Sequence, residues 1–421
     1  MTRDLEIGVI GLGDMGKLYA SQFCRLGYRV NGSDVPGRND ELRDSPDLKG
    51  VHVLDDGIAV SRRSDIVFYL VETRNIGEAV KAYGPSTKKG AIVSSGTSVM
   101  TPAIEAFDQY VPKDVSIINW HWLFGPSVKP EGSNSVVSIH RTDEESERKA
   151  REVFSELGMK VLEIPYQEHD RITADTQAVT HLGFQSMGTA WKNMGSYPWE
   201  NTNYMTGIDN VKILMCLRLF DGKSHVYSGL AFFNPQAKEQ IRQYRNSTID
   251  LFGLMIREKE KELRQRLRDA EKNVFRNEGS PLLLDEKVLE RFSLGIRQRK
   301  TPNSHLSLLA MADAWNQLGR SPYDNLVCQT PPFKLRVGIV EYLFRNPDLL
   351  EQAIQTAVYD KSIRADDLAF QNSVIDWSTM IMDGDEEGYM RHFEDVKRFF
   401  GEERLRHGKE KSGELIAALN S

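Results

Sequence analysis

Residues 5–23, "LEIGVIGLGDMGKLYASQF", decide the fold. A short apolar run leads into Gly11-Leu12-Gly13-Asp14-Met15-Gly16, and apolar residues at helical spacing follow. This is a strand, a glycine-rich turn and a helix. Gly11 permits the tight turn, Gly13 lets the backbone approach a pyrophosphate, and Gly16 lets the helix pack against the strand. The helix start presents unpaired N–H groups to phosphate. Leu12, Asp14 and Met15 complete the candidate cradle. A second strand-like run, "YRVNGSD" (28–34), ends in Asp34, 18 residues after Gly16. That is near the spacing of the acidic residue that binds a ribose 2′-hydroxyl. Arg38, four residues further on, stands ready for a 2′-phosphate instead.

Outward from this stretch, the first ~160 residues alternate strands and helices, as a doubly wound parallel sheet requires. The candidate strands are "EIGVIG", "RVNGSD", "DIVFYLV", "GAIVSSG", "VSIINW", "SVVSIH" and "KVLEIP". After Pro165 strand signals fade and helical spacing takes over. An α/β dinucleotide-binding domain over 1–165 and an all-α remainder are therefore expected, broken by the loop "GSYPWENTNYMTG" at 195–207.

The helical part repeats itself. "THLGFQSMGTAW" (180–191) matches "SHLSLLAMADAW" (304–315), and "KILMCLRLF" (212–220) matches "RVGIVEYLF" (336–344), both at an offset of 124. "NSTIDL" (246–251) matches "NSVIDW" (372–377) at 126. The matches predict a duplicated helical domain, a first copy over 166–285 and a degenerate second over 286–421. The period is too long for a solenoid repeat.

Composition fits a globular enzyme. The chain has 421 residues, 40% hydrophobic and 27% charged, with a net charge of −6. No basic stripe suggests a nucleic-acid partner. The charged run "REKEKELRQRLRDAEK" (257–272) mixes signs and reads as a solvated helix face. Cys24, Cys216 and Cys328 are too few and scattered for a disulfide frame or a metal site. No apolar run reaches membrane-spanning length, and the first strand begins too early to leave room for a signal peptide. A cytoplasmic setting is expected.

The chemistry-bearing segment is "NWHWLFGPS" (119–127), which reads as a buried strand ending in a loop. Ligands of open α/β sheets bind at such strand ends, and His121 there can trade a proton near neutral pH. A histidine satisfied by a backbone carbonyl is the structural alternative.

In these segments the chain resembles the prephenate dehydrogenases, and in its length and helical extension their fungal, tyrosine-pathway form. "GTSVM" (96–100) occupies the place of the family's Ser-Val-Lys segment, so Ser98 matches its active-site serine. "HWLFGP" matches His-Pro-Leu/Met-Phe-Gly-Pro, so His121 matches the catalytic histidine. "EHDRITADTQAVTHLGF" (168–184) carries His169, Asp170, Gln177 and His181 of the family's His-Asp…Gln…Thr-His pattern, and "LRLF" puts Arg218 at the substrate-carboxylate arginine. Trp122 stands where the family has Pro, and Met100 where it has Lys.

The resemblance implies oxidative decarboxylation of prephenate to 4-hydroxyphenylpyruvate. His121 would be the base, Ser98 would hold the same hydroxyl, and Arg218, His181, His169, Asp170 and Gln177 would bind substrate. It implies NADP as cofactor, with NAD the alternative that Asp34 favours, and no metal. Each residue has a bland reading: Ser98 as a cap of the helix near Thr101, Arg218 as a buried or snorkelling arginine, His169-Asp170 as a helix-start cap, His181 as a core histidine.

Two other functions share these features. β-Hydroxyacid dehydrogenases of the 6-phosphogluconate/3-hydroxyisobutyrate type begin alike, although Lys192 in "TAWKNMG" lacks their upstream glycines. A non-enzymatic dinucleotide sensor is the other. The bacterial members of the resembled family pair through their helical domains. A chain holding two such units would make that pairing internally and be a monomer with one active site. In the second copy Tyr342 stands opposite Arg218 and Ser293-Leu294 opposite His169-Asp170, while His305 is kept.

Overall fold

The computed structural model describes residues 4–126, 128–200, 207–275, 303–323 and 331–419. Ser127, Cys328, the tip of the 195–207 loop, Ser293-Leu294 and the expected junction between the two copies lie outside them.

Two compact units are formed, residues 1–173 with 233–235, and residues 174–232 with 236–421. The first is an eight-stranded sheet in the order β3-β2-β1-β4-β5-β6-β7-β8. Its strands are β1 (Glu6–Ile10), β2 (Arg29–Ser33), β3 (Val51–Val53), β4 (Ile66–Tyr69), β5 (Ile92–Ser95), β6 (Ser116–Trp122), β7 (Asn134–Arg141) and β8 (Lys160–Glu163). All neighbours run parallel except β6 and β7. Every expected strand is present. β3 escaped the sequence reading because it is three residues long and its residues lie at the partly exposed sheet edge.

Helices α1 (Asp14–Arg25), α2 (Asn39–Arg43), α3 (Gly57–Arg63), α4 (Ile76–Tyr83), α5 (Thr101–Tyr110), α6 (Glu144–Ser155) and α7 (Tyr166–Thr173) complete this unit. Its core packs Ile7, Val9, Phe23, Phe68, Trp120 and Phe154. The sheet pleat buries each central strand on both faces, so β1 and β4 read as continuous apolar runs. The unit ends after Thr173 rather than at Pro165, because α7 packs on α5 and β7. The chain then continues through a π-helical turn, Ala174–Ala178, into the next helix.

The second unit is helical and single-cored. It holds α8 (Val179–Met194), α9 (Ile208–Asp221), α10 (Ser224–Phe233, whose last residue groups with the first unit), α11 (Ala237–Ile256), α12 (Glu260–Val274), α13 (Leu306–Gln317), α14 (Pro331–Arg345), α15 (Pro347–Tyr359), α16 (Arg364–Asp383), α17 (Glu386–Phe400) and α18 (Glu402–Leu419). The run from α9 to α12 has lengths of 14, 10, 20 and 15 residues; α14 to α17 has 15, 13, 20 and 15. Packing crosses between the two runs: α8 lies on α16 and α17, and α13 lies on α11 and α12. One apolar cluster includes residues from both, among them Phe184, Leu214, Tyr244, Trp315, Val340 and Trp377. The charged run at 257–272 buries only its stripe of Leu263, Leu267 and Ala270, as a solvated helix face should. Among the described residues, no helix is long and apolar enough to cross a membrane.

Candidate active site

The glycine turn has the geometry its spacing predicts. Gly11 adopts φ 95°, and a Cβ there would lie 2.6 Å from the Leu70 carbonyl oxygen. A Cβ on Gly16 would run into the Gly11 carbonyl, so helix and turn meet through bare backbone. Around Gly13 a Cβ would meet no atom within 4 Å, which leaves room for a phosphate at the start of α1. No side chain caps that helix, so its first-turn N–H groups face this space. The residues present fit a dinucleotide.

Asp34 does more than wait for a ribose. Its Oδ2 accepts the Leu12 N–H at 2.7 Å, tying the glycine turn to the end of β2. Its Oδ1 accepts the Val35 N–H at 2.8 Å and faces Arg38 Nη1 at 3.3 Å. The Arg38 side chain is half exposed and can turn outward.

His121 lies inside β6, not on the loop after it. Its strand partner is Val136 on β7, and Trp122 pairs with Ser135. Trp122 stacks on Tyr19 with ring centroids 3.6 Å apart, so the residue that replaces the family's proline extends the strand and fills the core. Beside it, the β5–β6 ladder is registered only at Ile92–Ser116 and Val93–Ile117. Beyond that point side chains substitute for the ladder: Asn119 Oδ1 accepts the Ser95 N–H at 2.6 Å, and Ser94 Oγ accepts the Trp120 N–H at 3.0 Å.

A relay leads away from His121. Its Nδ1 is 3.0 Å from His169 Nε2, and His169 Nδ1 is 2.8 Å from Asp170 Oδ1. The Asp170 carboxylate can only accept, so it takes the proton on His169 Nδ1. His169 Nε2 is then an acceptor and takes the proton on His121 Nδ1. This leaves the lone pair of His121 on Nε2, a defined base atom. Burial and the neighbouring His169 hold the His121 pKa well below the usual histidine value, so the ring is neutral at pH 7.

Asp170 has a second task. It accepts from Met100 N at 2.8 Å, Thr101 N at 2.8 Å and Thr101 Oγ1 at 2.7 Å. It therefore caps α5 across a sequence separation of 70 residues, the role considered for Ser98. The half-buried Ser98, on the turn between β5 and α5, makes no hydrogen bond among the described residues. Asp170 thus ties the serine turn to the histidine relay.

The other candidates belong to the helical unit. Gln177 falls in the π-helical turn, a geometry common at functional sites. His181 is edge-on to Tyr227 with centroids 4.9 Å apart, and burial and Arg336 depress its pKa well below the usual value. Arg218 reaches α18, with Nη1 3.2 Å from Ser412 Oγ and 3.5 Å from the Lys409 carbonyl oxygen. The second copy is less bare of chemistry than its sequence suggested: Arg336, missed above, sits buried beside Tyr227. A charge inside the apolar run "KLRVGIVEYLF" was the available signal.

Two family descriptions match the chain. The NAD binding domain of 6-phosphogluconate dehydrogenase matches residues 6–164, and a 6-phosphogluconate dehydrogenase C-terminal domain matches 178–421. Prephenate dehydrogenase [NADP(+)] of Saccharomyces cerevisiae is 45% identical over 94% of this chain and 89% of its own length. A probable prephenate dehydrogenase [NADP(+)] of Schizosaccharomyces pombe is 41% identical over 100% of this chain and 99% of its own. Among solved structures, the prephenate dehydrogenase of Aquifex aeolicus is similar at a TM-score of 0.49 and 18% identity, covering 62% of this chain and 95% of that one. With a dinucleotide cradle, a histidine relay and full-length relatives at this identity, the chain belongs to the prephenate dehydrogenase family.

Proposed function

We propose that this protein converts prephenate and NADP to 4-hydroxyphenylpyruvate, carbon dioxide and NADPH. The observation that carries the reading is the Asp170–His169–His121 relay, which leaves a neutral histidine with its free lone pair on Nε2. When bound, the nicotinamide supplies the hydride acceptor. The remaining work falls to the chain. His121 Nε2 takes the proton of the C4 hydroxyl as the C4 hydride departs. Ser98 fixes the direction of that hydroxyl. As the C4 carbonyl forms, the C1–carboxylate bond breaks, its electron pair enters the ring, and the ring becomes aromatic. Such base catalysis is typically worth ~10²–10⁴ in rate. His169 and Asp170 position His121 and stabilise its imidazolium. Arg218, His181 and Gln177 are proposed substrate-binding groups. The glycine turn from Gly11 to Gly16 holds the pyrophosphate, and Arg38 meets the 2′-phosphate.

We further propose that the helical unit is a duplication of one domain, with one active site per chain. Matching helix lengths and crossed packing support this. The expected setting is cytoplasmic. The test is NADP reduction with prephenate, compared with arogenate and with 3-hydroxy acids. Turnover of a 3-hydroxy acid in place of prephenate would overturn the reading.

A further inference from the structure

The helical unit contains one feature twice, in two chemical states. In the first, His305 Nδ1 is 2.7 Å from Lys212 Nζ, and Lys212 is paired with Asp209 at 2.9 Å. Asn303 donates to the same Asp209 oxygen at 3.2 Å. Histidine, cation and carboxylate are all buried and mutually satisfied. The offset of 124 residues that relates the two copies converts His181 to His305 and Lys212 to Arg336. The second state is therefore His181 with Arg336. They are coupled in space, since Arg336 is one of the causes that depress His181. The same offset converts Asp209 to Phe333, which is buried and carries no charge.

This second state lacks a protein carboxylate. Arg336 is only 5% exposed, and its Nε has no hydrogen-bond partner among the described residues. Its guanidinium reaches the Tyr227 hydroxyl and lies 5.5 Å from the centre of the Phe184 ring. His181 Nδ1 is likewise buried without a partner. Burial pulls the Arg336 pKa down only to about 10, so it stays charged at neutral pH. A fold does not bury an unpaired guanidinium without a compensating anion.

We propose that Arg336 and His181 form a carboxylate-binding site for a small organic acid, in which the ligand's carboxylate takes the position that Asp209 fills for Lys212 and His305. A planar guanidinium suits this, because it offers a carboxylate two parallel N–H donors where the lysine of the other copy offers a point charge. His181, neutral, donates from Nδ1. The second copy thus supplies a binding group of its own. Identifying the acid as prephenate rests on the function proposed above; a separate effector acid has the same chemistry.

The experiment uses the full chain and three variants, Arg336→Gln, Arg336→Lys and Phe333→Asp. Phe333→Asp rebuilds the internal carboxylate of the other copy and acts as a tethered competitor. Initial rates with prephenate and NADP are measured beside calorimetric binding of 4-hydroxyphenylpyruvate and of NADP. For the substrate source, KM for prephenate and Kd for 4-hydroxyphenylpyruvate rise roughly 10- to 100-fold in Arg336→Gln and in Phe333→Asp, with kcat and NADP binding little changed. For the effector source, KM holds while 4-hydroxyphenylpyruvate binding is lost. If Arg336→Gln does not fold, Arg336→Lys keeps the charge and still loses the planar fork, so it weakens binding less. Wild-type KM and 4-hydroxyphenylpyruvate affinity in the folded variants overturn the site. A wild-type chain that binds the aromatic acid but does not oxidise prephenate overturns the proposed function and leaves the site standing.

Discussion

His169 presents its Nε2 edge-on to His121 Nδ1 at 3.0 Å, with the two rings at 82°. The second histidine therefore fixes the tautomer of the first. His121→Asn is expected to keep NADP binding and lower kcat by ~10²–10⁴. The depressed pKa places the acid limb of the unmodified enzyme below the ordinary histidine value of about 6.5. Activity falls as pH drops through that limb, because the protonated ring cannot accept the hydroxyl proton. Near-normal turnover in the Asn variant would remove His121 from the base role.

The relay and the helix cap share Asp170, and two variants separate them. His169→Gln misorients the base and is expected to cost kcat ~10²-fold with little loss of thermal stability. Asp170→Asn turns an amide N–H toward the Met100 and Thr101 amides, so it lowers kcat and also removes about 1 kcal/mol of stability. Thermal melts beside initial rates distinguish them. Equal stability of the two variants would contradict the capping role.

How much of this was legible follows from what each residue needs. The glycine turn was readable because φ and backbone clearance leave no alternative at Gly11 and Gly16. The strands were readable because parallel burial on both faces writes an apolar run. His121 was found, but its place inside β6 was not, since the antiparallel pairing with β7 depends on a neighbour that the local pattern does not announce. Asp170 as the cap of α5 was invisible for the same reason: the two ends lie 70 residues apart. Arg336 was readable as a charge in an apolar helix, but only its lack of a carboxylate gives it meaning.

Asp34 spends both carboxylate oxygens on the backbone of its own unit, at Leu12 and Val35. Arg38 is then the group left to select the cofactor. Arg38→Ala is expected to lower the ratio of kcat/KM for NADP over NAD by roughly 10- to 100-fold, the worth of a charge-assisted contact. Higher efficiency with NAD in the unmodified protein would overturn the NADP assignment.

Burial and the Lys212 charge push the His305 pKa down to about 3. The unfolded chain takes up a proton near pH 6.5 that the folded chain refuses. This contribution to stability is present above about pH 6.5 and is lost as pH falls, at up to about 1.4 kcal/mol per unit. Asp367, with its pKa raised to about 7 by burial, works in the opposite direction and partly offsets it. His305→Asn isolates the histidine: Asn tolerates the left-handed φ of 52° and still accepts from Lys212. Its urea midpoint should fall less between pH 7 and 5.5 than that of the unmodified protein. Parallel losses would refute the assignment.

The last prediction concerns assembly. Within the helical unit, Gly183 of α8 faces Met311 of α13, and a Cβ there would collide with the Met311 methyl and lie 2.8 Å from the Tyr244 hydroxyl. Tyr244 in turn donates to the Ser307 carbonyl at 3.1 Å, and Gln185 and Thr189 of α8 bond Tyr389 and Trp377 of the later helices. The proposed copies therefore share one core, and each lacks a closed surface of its own. Removing residues 286–421 should expose the buried faces of α8 and α11 and give aggregated or inactive protein. Gly183→Leu should destabilise the intact chain through the same contact. Because the pairing surface is satisfied internally, the intact protein should scatter light as a monomer, or associate through some other surface. A tight dimer joined helical unit to helical unit, with the two copies of each chain apart, would rule out the internal pairing.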